Sequence, residues 1–187
     1  MSEMGCQIDL SNPQHRFSIT IDGASSQIAC GWMVGGDVGS DGVATRKATQ
    51  RPLFKPVSLS PRLALLAVNL ATGPIGKGPV IDAMTGTGGF IMEAAATNRQ
   101  ALGIDLNSEM VEGANQNLNW LLEQQNSTDS SAQIVRGDAT NIEASIDKSW
   151  IGNVQGFVLD PPYGRNSQGS LNHDDLLTKT LTSAHKV

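Results

Sequence analysis

Four acidic residues stand where apolar runs end, and these are the positions at which chemistry is expected: Asp82, Asp105, Asp138 and Asp160. Asp82 follows Val80-Ile81 and opens the segment Asp82-Ala83-Met84-Thr85-Gly86-Thr87-Gly88-Gly89. Glycines in such a loop permit positive φ and let backbone approach a ligand closely. A dinucleotide fingerprint needs glycine three residues after Gly88, and that position is Ile91, so a dinucleotide is disfavoured. An acid with Gly-x-Gly-Gly suits instead a ligand that has a cationic amine and no pyrophosphate. The competing reading is a tight strand–helix turn with no ligand. Asp105 follows Asp82 by 23 residues, near the spacing of ~20 at which an acid meets a ribose hydroxyl in such sheets. Its two oxygens can accept from both hydroxyls of a diol. A helix-capping aspartate is the alternative. Asp138, in Val135-Arg136-Gly137-Asp138-Ala139, is expected to meet an adenine amino group. Taken alone it is an ordinary surface aspartate after a strand.

The fourth segment is the most specific: Val158-Leu159-Asp160-Pro161-Pro162-Tyr163-Gly164-Arg165. The two prolines stiffen the chain and remove backbone donors, so the carbonyls and the Asp160 carboxylate present acceptors only. That is what a substrate NH2 group requires. Tyr163 adds a flat face for a nucleobase, and such stacking contributes about 1–3 kcal/mol. A rigid surface turn would also use two prolines, but not after three other acid-bearing strand ends in this order.

Charge gives a mixed message. The net charge of −5 and pI near 5.0 argue, for the whole chain, against a nucleic-acid partner. Yet Arg46, Lys47, Arg51, Lys55 and Arg62 fall in one stretch with no acid among them. That stretch reads either as a phosphate-facing strip or as a solvated linker, and charge alone leaves both open. His15, His173 and His185 are scattered without metal-ligand spacing, so no metal is expected. Cys6 and Cys30 lie in unrelated contexts and read as reduced thiols, in keeping with a cytoplasmic location. No run of 18 apolar residues and no basic-apolar start is present, so neither a membrane span nor a secretory signal is expected.

The elements that must position these residues follow from periodicity. Residues 1–45 are β-like: a hairpin-like piece over Asp9–Asp22 with Phe17, Ile19 and Ile21 alternating, a strand over Ile28–Val34, and a flexible turn over Gly35–Gly42. This zone is too small to bury its own apolar face. Residues 46–60 form a basic linker. A helix begins with Ser60 as N-cap and Pro61 at its first position, runs with Leu63, Leu66, Ala67 and Leu70 on one face, and stops at Gly73-Pro74. Strands are then expected at Val80–Met84, Ala101–Asp105, Gln133–Arg136 and Gln155–Asp160. Helices are expected at Phe90–Thr97, from Ser108 as cap (with Met110, Ala114, Leu118, Leu121 and Leu122 as the apolar face), at Asn141–Asp147 and at Asp174–Ser183. Strands alternating with helices imply an α/β fold with a parallel sheet of about four strands.

Asp-Pro-Pro-Tyr at the fourth strand resembles the signature of class I S-adenosylmethionine-dependent amino-methyltransferases. With residues 51–71 (RPLFKPVSLSPRLALLAVNLA) and 86–94 (GTGGFIMEA), it resembles the archaeal-type tRNA guanine-10 N2-methyltransferases. Residues 8–23 (IDLSNPQHRFSITIDG) look like the last strands of that family's RNA-binding THUMP module. The family's first motif usually reads Asp-Pro-Phe-Cys-Gly-Thr-Gly, and here Ala83, Met84 and Thr85 replace its middle three residues. The resemblance implies a Rossmann-like methyltransferase sheet over 61–187, C-terminally incomplete, after a small THUMP-like β-rich remnant over 1–45. It implies S-adenosylmethionine as cofactor, held by Asp82, Thr85, Gly86, Gly88, Asp105 and Asp138. It implies tRNA as substrate, with Asp160, Pro161, Pro162 and Tyr163 catalytic and Arg46, Lys47, Arg51 and Lys55 on RNA. A small activator protein is a further candidate partner. An enzyme acting on rRNA guanine or DNA adenine, or a non-catalytic RNA- or cofactor-binding fragment, are the alternatives.

Overall fold

The computed structural model describes residues 14–33, 40–56, 58–73, 78–126, 131–162 and 172–187. Of the positions singled out above, Cys6, Asp9, Val34, Gly35, Pro74, Tyr163, Gly164 and Arg165 lie outside them. The chain divides into two compact units, 1–42 and 43–187.

In the first unit, β1 (Arg16–Asp22) pairs antiparallel with β2 (Gln27–Met33). The Asp22 carboxylate accepts the Ala24 amide at 3.0 Å and the Ser25 hydroxyl, which shapes the turn. Ser26 takes positive φ there, at 54°. Register places Phe17 opposite Trp32, Ile19 opposite Cys30 and Ile21 opposite Ile28. Phe17 and Trp32 meet edge to face, with ring centroids 5.1 Å apart. Alternation puts these six side chains on one face, and Phe17, Ile19, Ile21, Ile28 and Trp32 are all exposed. A one-turn helix, α1 (Ser40–Ala44), comes later in the chain, so residues 40–42 of the turn expected over 35–42 are helical, and 35–39 lie outside the described residues.

The second unit is a parallel sheet in the order β5-β4-β3-β6, built from β3 (Val80–Asp82), β4 (Ala101–Asp105), β5 (Ala132–Arg136) and β6 (Gly156–Val158). Helices α2 (Pro61–Thr72), α3 (Gly89–Ala96) and α4 (Ser108–Gln124) gather around one hydrophobic cluster. That cluster contains Val80, Ala101, Ile134 and Val158 of the strands. A second cluster holds Ile81, Leu102 and Ile104 with Ile142 and Trp150 of two short 3-10 segments, Ala139–Ser145 and Lys148–Trp150. Ala184, near the end of α5 (His173–Ala184), packs against it. Successive strand residues therefore bury in opposite faces, as a sheet covered on both sides requires.

The structure corrects several local expectations. The buried face of α2 is Pro61, Ala64 and Val68, while Leu63, Leu66 and Leu70 are exposed. Both stripes have helical spacing, and the one with small residues is the one that packs closely. The Ser60 side chain does accept the Leu63 amide, at 3.4 Å. The cap of α4 is Asn107 rather than Ser108, accepting the Glu109 amide at 2.8 Å. The short helix read over 141–147 is the 3-10 segment Ala139–Ser145, started by Asp138. The connector is no free linker. Residues 43–60 belong to the same unit as the sheet.

Candidate functional site

Strand register brings all four acids to one edge, Asp138 two residues beyond Arg136, the partner of Asp105, and the other three on adjacent strands. Asp82 ends β3 and lies opposite Gly103 of β4 and Val158 of β6. Asp105 and Asp160 stand two residues beyond those partners, so adjacent parallel strands deliver all three to the C-terminal edge. This is the edge at which open α/β sheets bind ligands.

Asp82 is 1% exposed. Burial pushes its carboxyl up to about 7, against the pull of the Met84 amide and the Thr85 side chain, and the negative charges of Asp105 and Asp160 add to the rise. The Met84 amide donates to Asp82 Oδ1 at 3.2 Å. A buried carboxylate of this kind is stabilised by a cation.

The glycine loop has left-handed backbone at Gly86 (φ 50°) and Gly88 (φ 83°), where a side chain would be strained. Its amides are engaged within the protein. Thr85 donates to the Ile104 carbonyl at 2.9 Å and Gly88 to the Thr85 carbonyl at 2.7 Å. Gly86 donates to Asp105 Oδ2 at 2.8 Å. The Gly86 and Gly88 amides are thus bonded within the protein here, and these residues supply backbone shape. Thr85 is buried, and a Cβ at Gly103 would lie 2.7 Å from its hydroxyl, so its side chain faces the sheet.

Asp105 also accepts the Asn107 amide through Oδ1 at 2.9 Å. It is partly exposed, and each carboxylate oxygen keeps a second lone pair. Asp138 is exposed and caps its 3-10 segment, accepting the Thr140 amide at 2.8 Å and the Thr140 hydroxyl at 2.7 Å through Oδ1. Asp160 is exposed, Pro161 buried and Pro162 exposed.

The basic strip separates into two kinds of residue. Arg46 grips Glu93 with two bonds, Nε to Oε1 at 3.0 Å and Nη2 to Oε2 at 2.8 Å, and Glu93 is wholly buried in α3. Arg51 is 4% exposed and donates to the Arg46 carbonyl through Nε and Nη2 at 3.2 and 3.1 Å. Both are used inside the fold and do not present a phosphate-facing strip. Lys47 is exposed and Lys55 partly so.

Reading the sequence overlooked two residues here. Glu93 is the lone acid within the apolar run Phe90–Ala96 and had to find a cation. Asn117 is fully buried in α4, and its side chain bonds Leu53 and the Thr87 carbonyl. Its only signal is the pair Gly113 and Asn117, four residues apart on one helix face. Among the described residues no group of three His, Cys, Asp or Glu side chains is set to hold a metal ion, and no helix is long and apolar enough to cross a membrane.

A sheet of this order with acids at its C-terminal edge and a glycine loop after the first strand has the form of a class I methyltransferase domain. Residues 48–187 match the RMKL-like methyltransferase domain, and the chain belongs to that family. It is 35% identical over 142 residues to the tRNA (guanine(10)-N2)-dimethyltransferase of Pyrococcus abyssi, covering 76% of this chain and 40% of that protein. To the enzyme of the same name from Methanothermobacter thermautotrophicus it is 34% identical over 137 residues, covering 73% and 37%. The chain thus spans about two fifths of the length of these relatives. Among solved structures, TrmN from Thermus thermophilus superposes with a TM-score of 0.55 at 21% identity, over 98% of this chain and 48% of that one, a likeness of fold.

Proposed function

We propose that this chain carries the S-adenosylmethionine site and the amine-binding corner of an enzyme that methylates N2 of a guanine in tRNA. The reading is carried by one observation: Asp82, Asp105 and Asp160 stand together on the C-terminal edge of three adjacent parallel strands.

The residues present fit such a cofactor. Asp82, whose carboxyl burial pushes up to about 7, suits the ammonium of the methionine end. Asp105 suits the ribose diol with its remaining lone pairs, and the second oxygen of Asp138 suits the adenine amine. When bound, S-adenosylmethionine supplies an electrophilic methyl group on a sulfonium.

The protein's part is to hold and aim the amine. N2 of guanine is a poor nucleophile because its lone pair is delocalised into the ring. Asp160 and the Pro161 carbonyl accept from its two hydrogens, which favours pyramidalisation and orients the lone pair. Asp160 also stabilises the positive charge that develops on nitrogen. Tyr163 stacks on the base, which must leave its helix to reach the corner. Residues 1–45 are, in this reading, the C-terminal remnant of a THUMP-like RNA-binding module, and Lys47 and Lys55 contact tRNA phosphates. The setting is the cytoplasm, and a small activator protein is compatible with the reading. Support comes from the relatives, both named as tRNA (guanine(10)-N2)-dimethyltransferases. Incubation of the complete protein with unmodified tRNA and S-adenosylmethionine, followed by nucleoside mass spectrometry, is expected to yield N2-methylated guanosine. Methylation confined to another base or to rRNA overturns the assignment.

A further inference from the structure

We infer that Asn117 is a positioning residue for the cofactor: its side-chain amide locks the glycine loop to the connector and so sets the shape of the S-adenosylmethionine site. The inference rests on the reading above that S-adenosylmethionine is held by Asp82 and Asp105, the two carboxylates that this loop joins.

Asn117 is 0% exposed, in the third turn of α4. A buried primary amide must find partners for two donors and an acceptor. Here each is met by backbone. Oδ1 accepts the Leu53 amide at 2.8 Å. Nδ2 donates to the Leu53 carbonyl at 3.0 Å and to the Thr87 carbonyl at 2.9 Å. The orientation of the amide is fixed by these partners, since a backbone N–H needs oxygen and two carbonyls need N–H.

One side chain thus joins three segments: the connector at Leu53, helix α4, and the loop between Gly86 and Gly88. The neighbouring contacts repeat the pattern. Gly113, one turn before Asn117, leaves the space that the Leu53 side chain fills, and a Cβ there would come within 2.2 Å of Leu53 Cδ2. On the other side of the loop, the Thr87 and Ser58 hydroxyls lie 3.2 Å apart. Ser58 Oγ in turn accepts the Lys55 amide at 3.2 Å. Asp105 holds Gly86 from the sheet side and Asn117 holds Thr87 from the helix side. Asn117 lies beneath the loop and supports the binding surface through the backbone.

The substitution Asn117→Asp tests this with almost no change of size. The carboxylate can still accept from Leu53 but faces two carbonyls where it had donated. Calorimetric titration with S-adenosylmethionine, well below the melting temperature, is expected to show affinity reduced at least tenfold. The control is Ser183→Ala, which removes a buried acceptor of the Ile142 amide (2.7 Å) at the second core. It is expected to lower the melting temperature while changing affinity less than twofold. If Asn117→Asp lowers the melting temperature but binds like the parent protein, the positioning role is overturned and the cofactor reading stands. If the parent protein itself takes up no S-adenosylmethionine, the cofactor reading fails and this role fails with it. Should Asn117→Asp not fold, the side-chain amide resonances of Asn117 in the parent protein give the same answer. They are expected to be protected from exchange and to shift on titration with S-adenosylmethionine, and resonances unmoved at saturation overturn the inference.

Discussion

The Asp105 carboxylate accepts the backbone amide of Gly86 at 2.8 Å, so the last residue of β4 pins the glycine loop that follows β3. The residue assigned to the ribose thus has a structural duty as well. The substitution Asp105→Ala orphans the Gly86 and Asn107 amides together. A lost hydrogen bond to a charged group costs about 1.5–3 kcal/mol. Denaturant unfolding is expected to show a loss of that order, and calorimetry a loss of S-adenosylmethionine affinity in the same variant. Reduced affinity at parental stability would separate the two duties and contradict the pinning role.

Asp82 makes stability fall as pH rises. Its folded carboxyl is pushed up to about 7 by burial, whereas in the unfolded chain it ionises near the usual carboxylate value. Between about pH 4 and 7 the folded state therefore holds a proton that the unfolded state has released, and this stabilisation is lost as pH climbs through the folded value. The full effect is on the order of 4 kcal/mol. Asp82→Asn is expected to remove it, so that the difference in unfolding free energy between variant and parent grows in the variant's favour from pH 5 to 8. An ammonium bound beside Asp82 restores the carboxylate. Affinity for S-adenosylmethionine should accordingly rise over the same interval, with proton release visible in buffers of different ionisation enthalpy. Parallel pH profiles for parent and variant refute this.

Strand ends were legible because residue type and order sufficed. An acid after a buried apolar run can only emerge at the sheet edge, and parallel pairing brings Asp82, Asp105 and Asp160 to one edge. Contacts far apart in sequence were not legible. Arg46 and Glu93, 47 residues apart, and Leu53 and Asn117, 64 apart, have no local periodicity that pairs them. The connector looked like a charged linker because its cations were counted without the buried acid that neutralises one of them. The choice of face on α2 failed for a related reason. Pro61, Ala64 and Val68 share a face as regularly as Leu63, Leu66 and Leu70 do, and only the packing of α2 decides between them.

Glu93 and Arg46 form a pair whose rupture leaves a buried charge. Glu93 is wholly buried, and the Arg46 side chain is only 13% exposed. Removing one partner of such a pair costs about 3–5 kcal/mol. Glu93→Ala is expected to lower stability by that order in chemical denaturation, and the double variant Arg46→Met with Glu93→Met to recover much of it. A double variant no better than the single one would show that the pair is not the source of the loss.

Lys47 and Lys55 should behave differently from Arg46 and Arg51. If the lysines neutralise tRNA phosphates, each replacement by glutamine reduces the slope of log K against log salt by about 0.7–0.9. Stability is expected to change by no more than about 0.5 kcal/mol for the exposed Lys47. Arg51→Gln, by contrast, disturbs a guanidinium bonded to the Arg46 carbonyl and should act on folding before it acts on RNA. Filter-binding titrations across salt concentrations, set beside unfolding curves, distinguish the two. An unchanged salt slope in the double lysine variant removes both lysines from the RNA interface.

Asp160 offers the sharpest test of the reaction. It is exposed, on the far side of β3 from Asp105, and buried Pro161 anchors the chain directly after it. A carboxylate placed this way can accept from an amine that approaches from solvent, and its charge reaches the buried core only as the smallest of the causes that raise Asp82. Asp160→Ala should therefore spare S-adenosylmethionine binding and leave the unfolding curve close to the parent's, with Asp82 eased slightly toward its ordinary value. Methyl transfer in the complete protein should fall by at least about 10²-fold, the scale seen when a group stabilising developing charge is removed. Asp160→Asn, which keeps one acceptor but loses the charge, is expected between the two. Single-turnover transfer from labelled cofactor, measured beside cofactor binding, reads the effects separately. Transfer at the parental rate in Asp160→Ala would move the amine-binding function to another residue of the edge.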